Sequence, residues 1–153
     1  MYEILLILHS WLRWAVIGLG IYALYNNYSG WQAERRFTEN DKRINTFFMT
    51  SLHLQLVLGL VLYVGVSPMM TSILADMIGS MKNKETRFWG VEHITGMILG
   101  IVVAQIGSIK SKKQKSDTGK FRTAFTWFLI GLLLILLMIP FGIWNADRPL
   151  FRF

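Results

Sequence analysis

The chain has 153 residues, 53% of them hydrophobic, a mean hydropathy of +0.41 and a formal charge of +7 from 16 Lys+Arg against 9 Asp+Glu. That length holds one domain, and so apolar a composition excludes an ordinary soluble globule. Cysteine is absent, which excludes thiolate metal sites and cysteine-linked haem and leaves histidine, methionine and oxygen as ligands.

Four apolar runs reach the roughly 20 residues needed to cross a bilayer: Ile4–Tyr25, Ile44–Val66, Phe88–Ile109 and Thr123–Trp144. The first follows Met-Tyr-Glu with no basic leader and no small-x-small cleavage pattern, so it reads as a retained helix and not a secretion signal. It carries Leu8-His9-Ser10-Trp11-Leu12-Arg13-Trp14, in which His9 and Arg13 are four residues apart and share a helix face. A charge near mid-membrane costs at least ~2.5–3.5 kcal/mol, so Arg13 asks for a partner. The turn formers Asn26 to Gly30 predict the end of this helix near Tyr25, with Trp31 and Phe37 in a loop at the headgroups.

Asp41, Lys42 and Arg43 lead into the second run, which holds His53 and Gln55, and Pro68 marks its far end. From Met69 to Met81 the chain is too short and polar to span. Ile73, Leu74, Met77, Ile78 and Met81 recur at helical spacing, which predicts an amphipathic helix in the interface. A thioether site for Cu(I) is the sharper alternative for these methionines.

The third run contains Glu92-His93 followed by a smooth face through Gly96 or Met97, Gly100, Ala104 and Gly107. Gly96-x-x-x-Gly100 is a small-x-x-x-small pattern that lets membrane helices approach closely. The same face leaves room for a flat ring beside His93, or for a second copy of the chain. The segment Lys110 to Lys120 reads as a mobile solvated loop. The fourth run is without histidine or charge, with a kink expected at Pro140 and with Trp127 and Trp144 in the aromatic belts.

Charge fixes the expected topology. The first and third connections carry ten basic residues, among them Arg35, Arg36, Lys112 and Lys120, against five in the middle connection and at the C-terminus. The positive-inside bias then puts those two loops in the cytoplasm and both termini outside. The basic surplus is read as a topology signal with anionic lipid contact, and not as a nucleic-acid footprint. The fold class is all-α, a single four-helix transmembrane bundle with a short interfacial helix between the second and third spans.

All three histidines fall inside spans, accompanied by Arg13 and Glu92. Counted from each span's midpoint at ~1.5 Å per residue, His9 and His93 both lie roughly 8 Å toward the outer face, and His53 roughly 10 Å deeper. Two histidines from different helices at matching depth can be the axial ligands of one haem between helices of a bundle. Depth favours His9 with His93, whereas a shift of one turn pairs His53 with His93. The remaining histidine then becomes a supporting donor, a proton relay or a quinone contact. Arg13 suits either Glu92 or a haem propionate as its anion. Two alternatives stand beside haem: histidines that only bridge helices, and a metal site joining His9, His53, His93 and Glu92.

Leu8 to Trp14, Ser51-Leu52-His53-Leu54-Gln55-Leu56 and Val91-Glu92-His93 resemble a group of small four-helix bacterial membrane proteins, common in Bacteroidetes, that are labelled cytochrome b-like. The resemblance implies a b-type haem with histidine ligation and membrane electron transfer; the expectation built on it is a protein of the bacterial inner membrane that passes electrons to or from quinol or a redox partner subunit. Cytochromes of the b561 kind carry four ligand histidines, so three allow one bis-histidine haem per chain and not two. The function expected is therefore a haem b electron-transfer subunit. A cofactor-free scaffold or a metal or proton transporter is the alternative.

Overall fold

The computed structural model describes residues 1–141 and 151, and over them it is all-helical. Helix α1 spans Tyr2–Gln32 and α2 spans Glu39–Val61, continued by a π-helical turn at Leu62–Val66. Three short helices follow: α3 (Pro68–Ala75), α4 (Met77–Ser80) and α5 (Lys84–Arg87). A second π turn at Phe88–Glu92 leads into α6 (His93–Lys112), and α7 spans Asp117–Leu137. The four long helices, two of them counted with their π turns, are long and apolar enough to cross a membrane.

The long helices form a ring in the order α1, α2, α6, α7, around Val16, Ala23, Phe48, Leu52, Ala104 and Phe128. The α6–α7 seam is the tightest. The glycine face is what closes it: a Cβ on Gly131 would lie 2.8 Å from the Gly100 carbonyl oxygen and 3.0 Å from Ala104 Cβ. Gly96 receives Met138 and Gly107 receives Trp127. The face expected to serve either packing or a ring is thus occupied by α7, and it offers no flat slot beside His93. By contrast, the seam between α2 and α6 is the loosest of the ring.

Several boundaries differ from those the sequence predicts. Helix α1 runs through Asn26–Gly30 instead of ending at Tyr25. Asn27 is buried and donates to the Ala23 carbonyl at 2.7 Å and to Asn45 Oδ1 at 2.7 Å, while Gly30 lies against the Phe121 ring. Local turn preference loses here to tertiary partners for the same side chains. The Lys110–Lys120 segment is mostly helix, interrupted only by the residues from Lys113 to Ser116. Ser116 caps α7 by accepting from Gly119 N at 3.1 Å. Pro140 follows the end of α7 instead of kinking it. The single amphipathic helix expected over 69–81 is two pieces, divided at Asp76, whose carboxylate accepts from Gly79 N. Trp144 lies outside the described residues.

Candidate functional site

At the end of the bundle where α1 begins and α7 finishes, a cavity of about 160 Å³ lies behind the loose α2–α6 seam. His9, Ser10 and Arg13 enter it from α1, Gln55 and Gly59 from α2, and His93 from α6. The two π turns border it through Tyr63 and Trp89. A π turn widens the helix by one residue and frees a carbonyl. Here the Gly90 carbonyl accepts from the Tyr63 hydroxyl at 2.7 Å, which ties the two turns together. Gly90 is required at that point because a Cβ would stand 2.9 Å from Ile73 Cγ2 of α3.

The histidine tautomers follow from their partners. His93 Nδ1 lies 2.9 Å from the Met138 carbonyl oxygen, which only accepts, so Nδ1 carries the proton and Nε2 the lone pair. Gln55 Nε2 donates to the His9 carbonyl at 3.0 Å, so its second hydrogen meets His9 Nε2 at 3.3 Å. His9 Nε2 is therefore also the lone-pair nitrogen. His9 Nδ1 and Gln55 Oε1 are buried with no hydrogen-bond partner among the described residues. Burying such groups unpaired costs about 1–3 kcal/mol each, which is uncommon unless a bound group or water completes them. Gly59 faces the His9 ring, and a Cβ there would lie 3.2 Å from His9 Cε1.

The remaining sequence candidates are placed as follows. Arg13 donates to Ser10 Oγ at 3.2 Å and lies over the Trp14 ring at 5.5 Å. Glu92 pairs with Arg87 at 2.6 Å, not with Arg13, and does not line the cavity. His53 is exposed on the outside of the bundle beside Leu54 and Val57, away from the other two histidines. Its pairing with His93 is not formed. Among the described residues no three of the His, Asp and Glu side chains come together as a metal-binding group, so the His9, His53, His93 and Glu92 cluster is not assembled.

Sequence reading missed Gly59 and Tyr63, although a signal was present. Gln55, Gly59 and Tyr63 are spaced at four and eight residues and share one helix face. His53 is two residues from Gln55, about 200° around the helix, and so must face the other way when Gln55 faces in.

A second polar constellation lies at the opposite end. Asp41, 1% exposed, accepts from both Arg35 terminal nitrogens at 2.7 and 2.9 Å, from Asn26 Nδ2 at 2.9 Å, and from the Thr38 backbone and hydroxyl at 2.8 and 2.7 Å. Hydrogen bonding to Asp41 holds the Arg35 guanidinium above its ordinary pKa. Thr38 and Asp41 form a capping box on α2, a Thr-x-x-acid pattern that was legible in the sequence. The chain matches no family model, and no curated protein or solved structure is similar to it.

Proposed function

We propose that the protein is a multi-pass protein of the bacterial inner membrane that binds one haem b between His9 and His93 and passes electrons within the membrane. The observation that carries this reading is the convergence on one cavity of two imidazoles from different helices, each with hydrogen-bond partners that leave the lone pair to Nε2. Histidine ligands typically hold their other nitrogen on a carbonyl or carboxylate, as His93 does on Met138. The donor set, two imidazoles reaching one cavity from different helices, fits a bis-histidine site. Ligation by His9 would require Gln55 to release its 3.3 Å contact with His9 Nε2.

A haem supplies a one-electron couple at this position. The chain's own residues do the rest. Met138 fixes the His93 ring, Gly59 leaves the His9 ring its room, and the Arg13 cation beside Ser10 offers a counter-charge for propionates. The cavity volume of about 160 Å³ is below the ~300–1,000 Å³ of sites that engulf a whole ligand. A ligand larger than this cavity would remain accessible along the loose α2–α6 seam, where His9, Gln55 and His93 would hold it within reach of a membrane partner or quinol. With the basic connections facing the cytoplasm, the cavity lies in the outer half of the membrane.

The same volume favours one second reading, a cofactor-free protein that holds a quinol headgroup on His9, His93 and Gln55. The two differ in one measurement. Protein purified after haem-replete expression shows a reduced-minus-oxidised b-type alpha band if the first reading holds. A haem-free product that still binds a quinone analogue selects the second.

A further inference from the structure

At the opposite end of the bundle from the histidine cavity, a second pocket of about 360 Å³ lies between the start of α2 and the turn joining α6 to α7. Its volume falls within the ~300–1,000 Å³ range of small-ligand sites. Lys42, Lys112 and Lys120 line it together with Glu39, Ser108 and Ser111. Ser111 donates to the Lys120 carbonyl at 2.8 Å and so fixes the turn that carries Lys120. Ser108 is 6% exposed, and its hydroxyl has no hydrogen bond among the described residues although it lines the pocket.

The charges are arranged to be exchanged. Lys42 meets Glu39 at 3.2 Å and Lys120 meets Asp117 at 3.0 Å, both at the surface, where such pairs contribute ~0–1 kcal/mol. Lys112 has no ion pair among the described residues. Three lysines and the Ser108 hydroxyl therefore line or border a space whose two nearby carboxylates, Glu39 and Asp117, are matched by Lys42 and Lys120, which leaves the Lys112 charge without a carboxylate among the described residues.

We infer that this pocket binds a phosphate group. The pocket sits where the helices reach the basic connections, at the level of the lipid headgroups if these helices span a membrane. Basic pockets between membrane helices on that side hold anionic headgroups. A phospholipid headgroup and a free phosphate ion offer the same chemistry. The inference is independent of what the histidine cavity holds.

The test uses the full-length protein in phosphatidylcholine nanodiscs and in nanodiscs containing phosphatidylglycerol, with native mass spectrometry reading retained lipid. A separate titration with inorganic phosphate at constant ionic strength reads the thermal midpoint. Retention of phosphatidylglycerol over phosphatidylcholine assigns the lipid, and a midpoint that rises with inorganic phosphate in phosphatidylcholine assigns the free ion. In either case the double variant Lys42→Gln/Lys112→Gln weakens binding about tenfold or more, from ~1 kcal/mol per lysine. Ser108→Ala, which changes no charge, weakens it severalfold. The double variant Lys113→Gln/Lys115→Gln removes the same charge outside the pocket and leaves binding intact. Equal retention of the two lipids with no response to phosphate overturns the inference. So does an equal loss in both double variants, or unchanged binding in Ser108→Ala.

Discussion

The two ends of this bundle treat buried polar groups in opposite ways. Around Asp41 every hydrogen-bonding direction is used: the carboxylate accepts from Arg35, Asn26 and Thr38, and Asn27 and Asn45 pair with each other. Around His9 a histidine nitrogen and an amide oxygen are buried without partners among the described residues. A fully satisfied network rigidifies and locates the helices, whereas an unsatisfied one costs stability and is retained where a ligand completes it. The same contrast holds in the seams, since α6 and α7 close on their glycines while α2 and α6 stay apart over the cavity. One end has its buried polar groups paired, and the other leaves two of them without a partner among the described residues.

The largest effect expected from breaking this contrast is at Asp41. Asp41→Ala removes the shared acceptor of Arg35, Asn26 and Thr38. It should cost about 2–4 kcal/mol, somewhat below the usual 3–5 for a broken buried pair because Arg35 is a third exposed. Denaturant unfolding in detergent checks it. The fraction that remains folded should keep its cavity ligand.

Next comes the tight seam. Gly131→Val drives side-chain atoms into the Gly100 carbonyl and should lower stability by about 1–3 kcal/mol in thermal unfolding. If the glycines instead made room for a ring, ligand content would fall before stability did. Gly59→Ala is the converse variant. It touches only the His9 ring, so its stability should shift by less than about 1 kcal/mol while ligand retention drops.

A comparably small stability change belongs to Gln55→Leu. It deletes two hydrogen bonds to His9 but also an unsatisfied buried oxygen, and those terms offset to within about 1 kcal/mol. A loss as large as that of Asp41→Ala would show that the cavity is a structural network after all.

How much of this was legible in the sequence depended on whether the signal was local. Four apolar runs announce four long helices, because length and hydropathy belong to each segment alone. The end of α1 was not legible, since Asn26, Asn27 and Gly30 read as turn formers until Asn45, Asp41 and Phe121 are brought against them. The three histidines announced themselves as candidates. Depth alone could match His9 with His93 but could not say which way His53 faces; that follows from the face Gln55, Gly59 and Tyr63 turn inward. Arg13 and Glu92 looked like partners because each was an isolated charge in an apolar run. Glu92 instead found Arg87, five residues away across the π turn, a local irregularity that helical spacing does not foretell.

We propose that His9 and His93, and not His53, hold a redox cofactor in the loose end of the bundle. The most direct test of this proposal is the reduced-minus-oxidised spectrum of the purified full-length protein and of His9→Leu, His93→Leu and His53→Leu, each with its thermal midpoint. A b-type alpha band is expected in the unmodified protein and in His53→Leu, with its loss in His9→Leu and His93→Leu while both remain folded. A band that survives loss of His9 or His93, or that vanishes with His53, would contradict it.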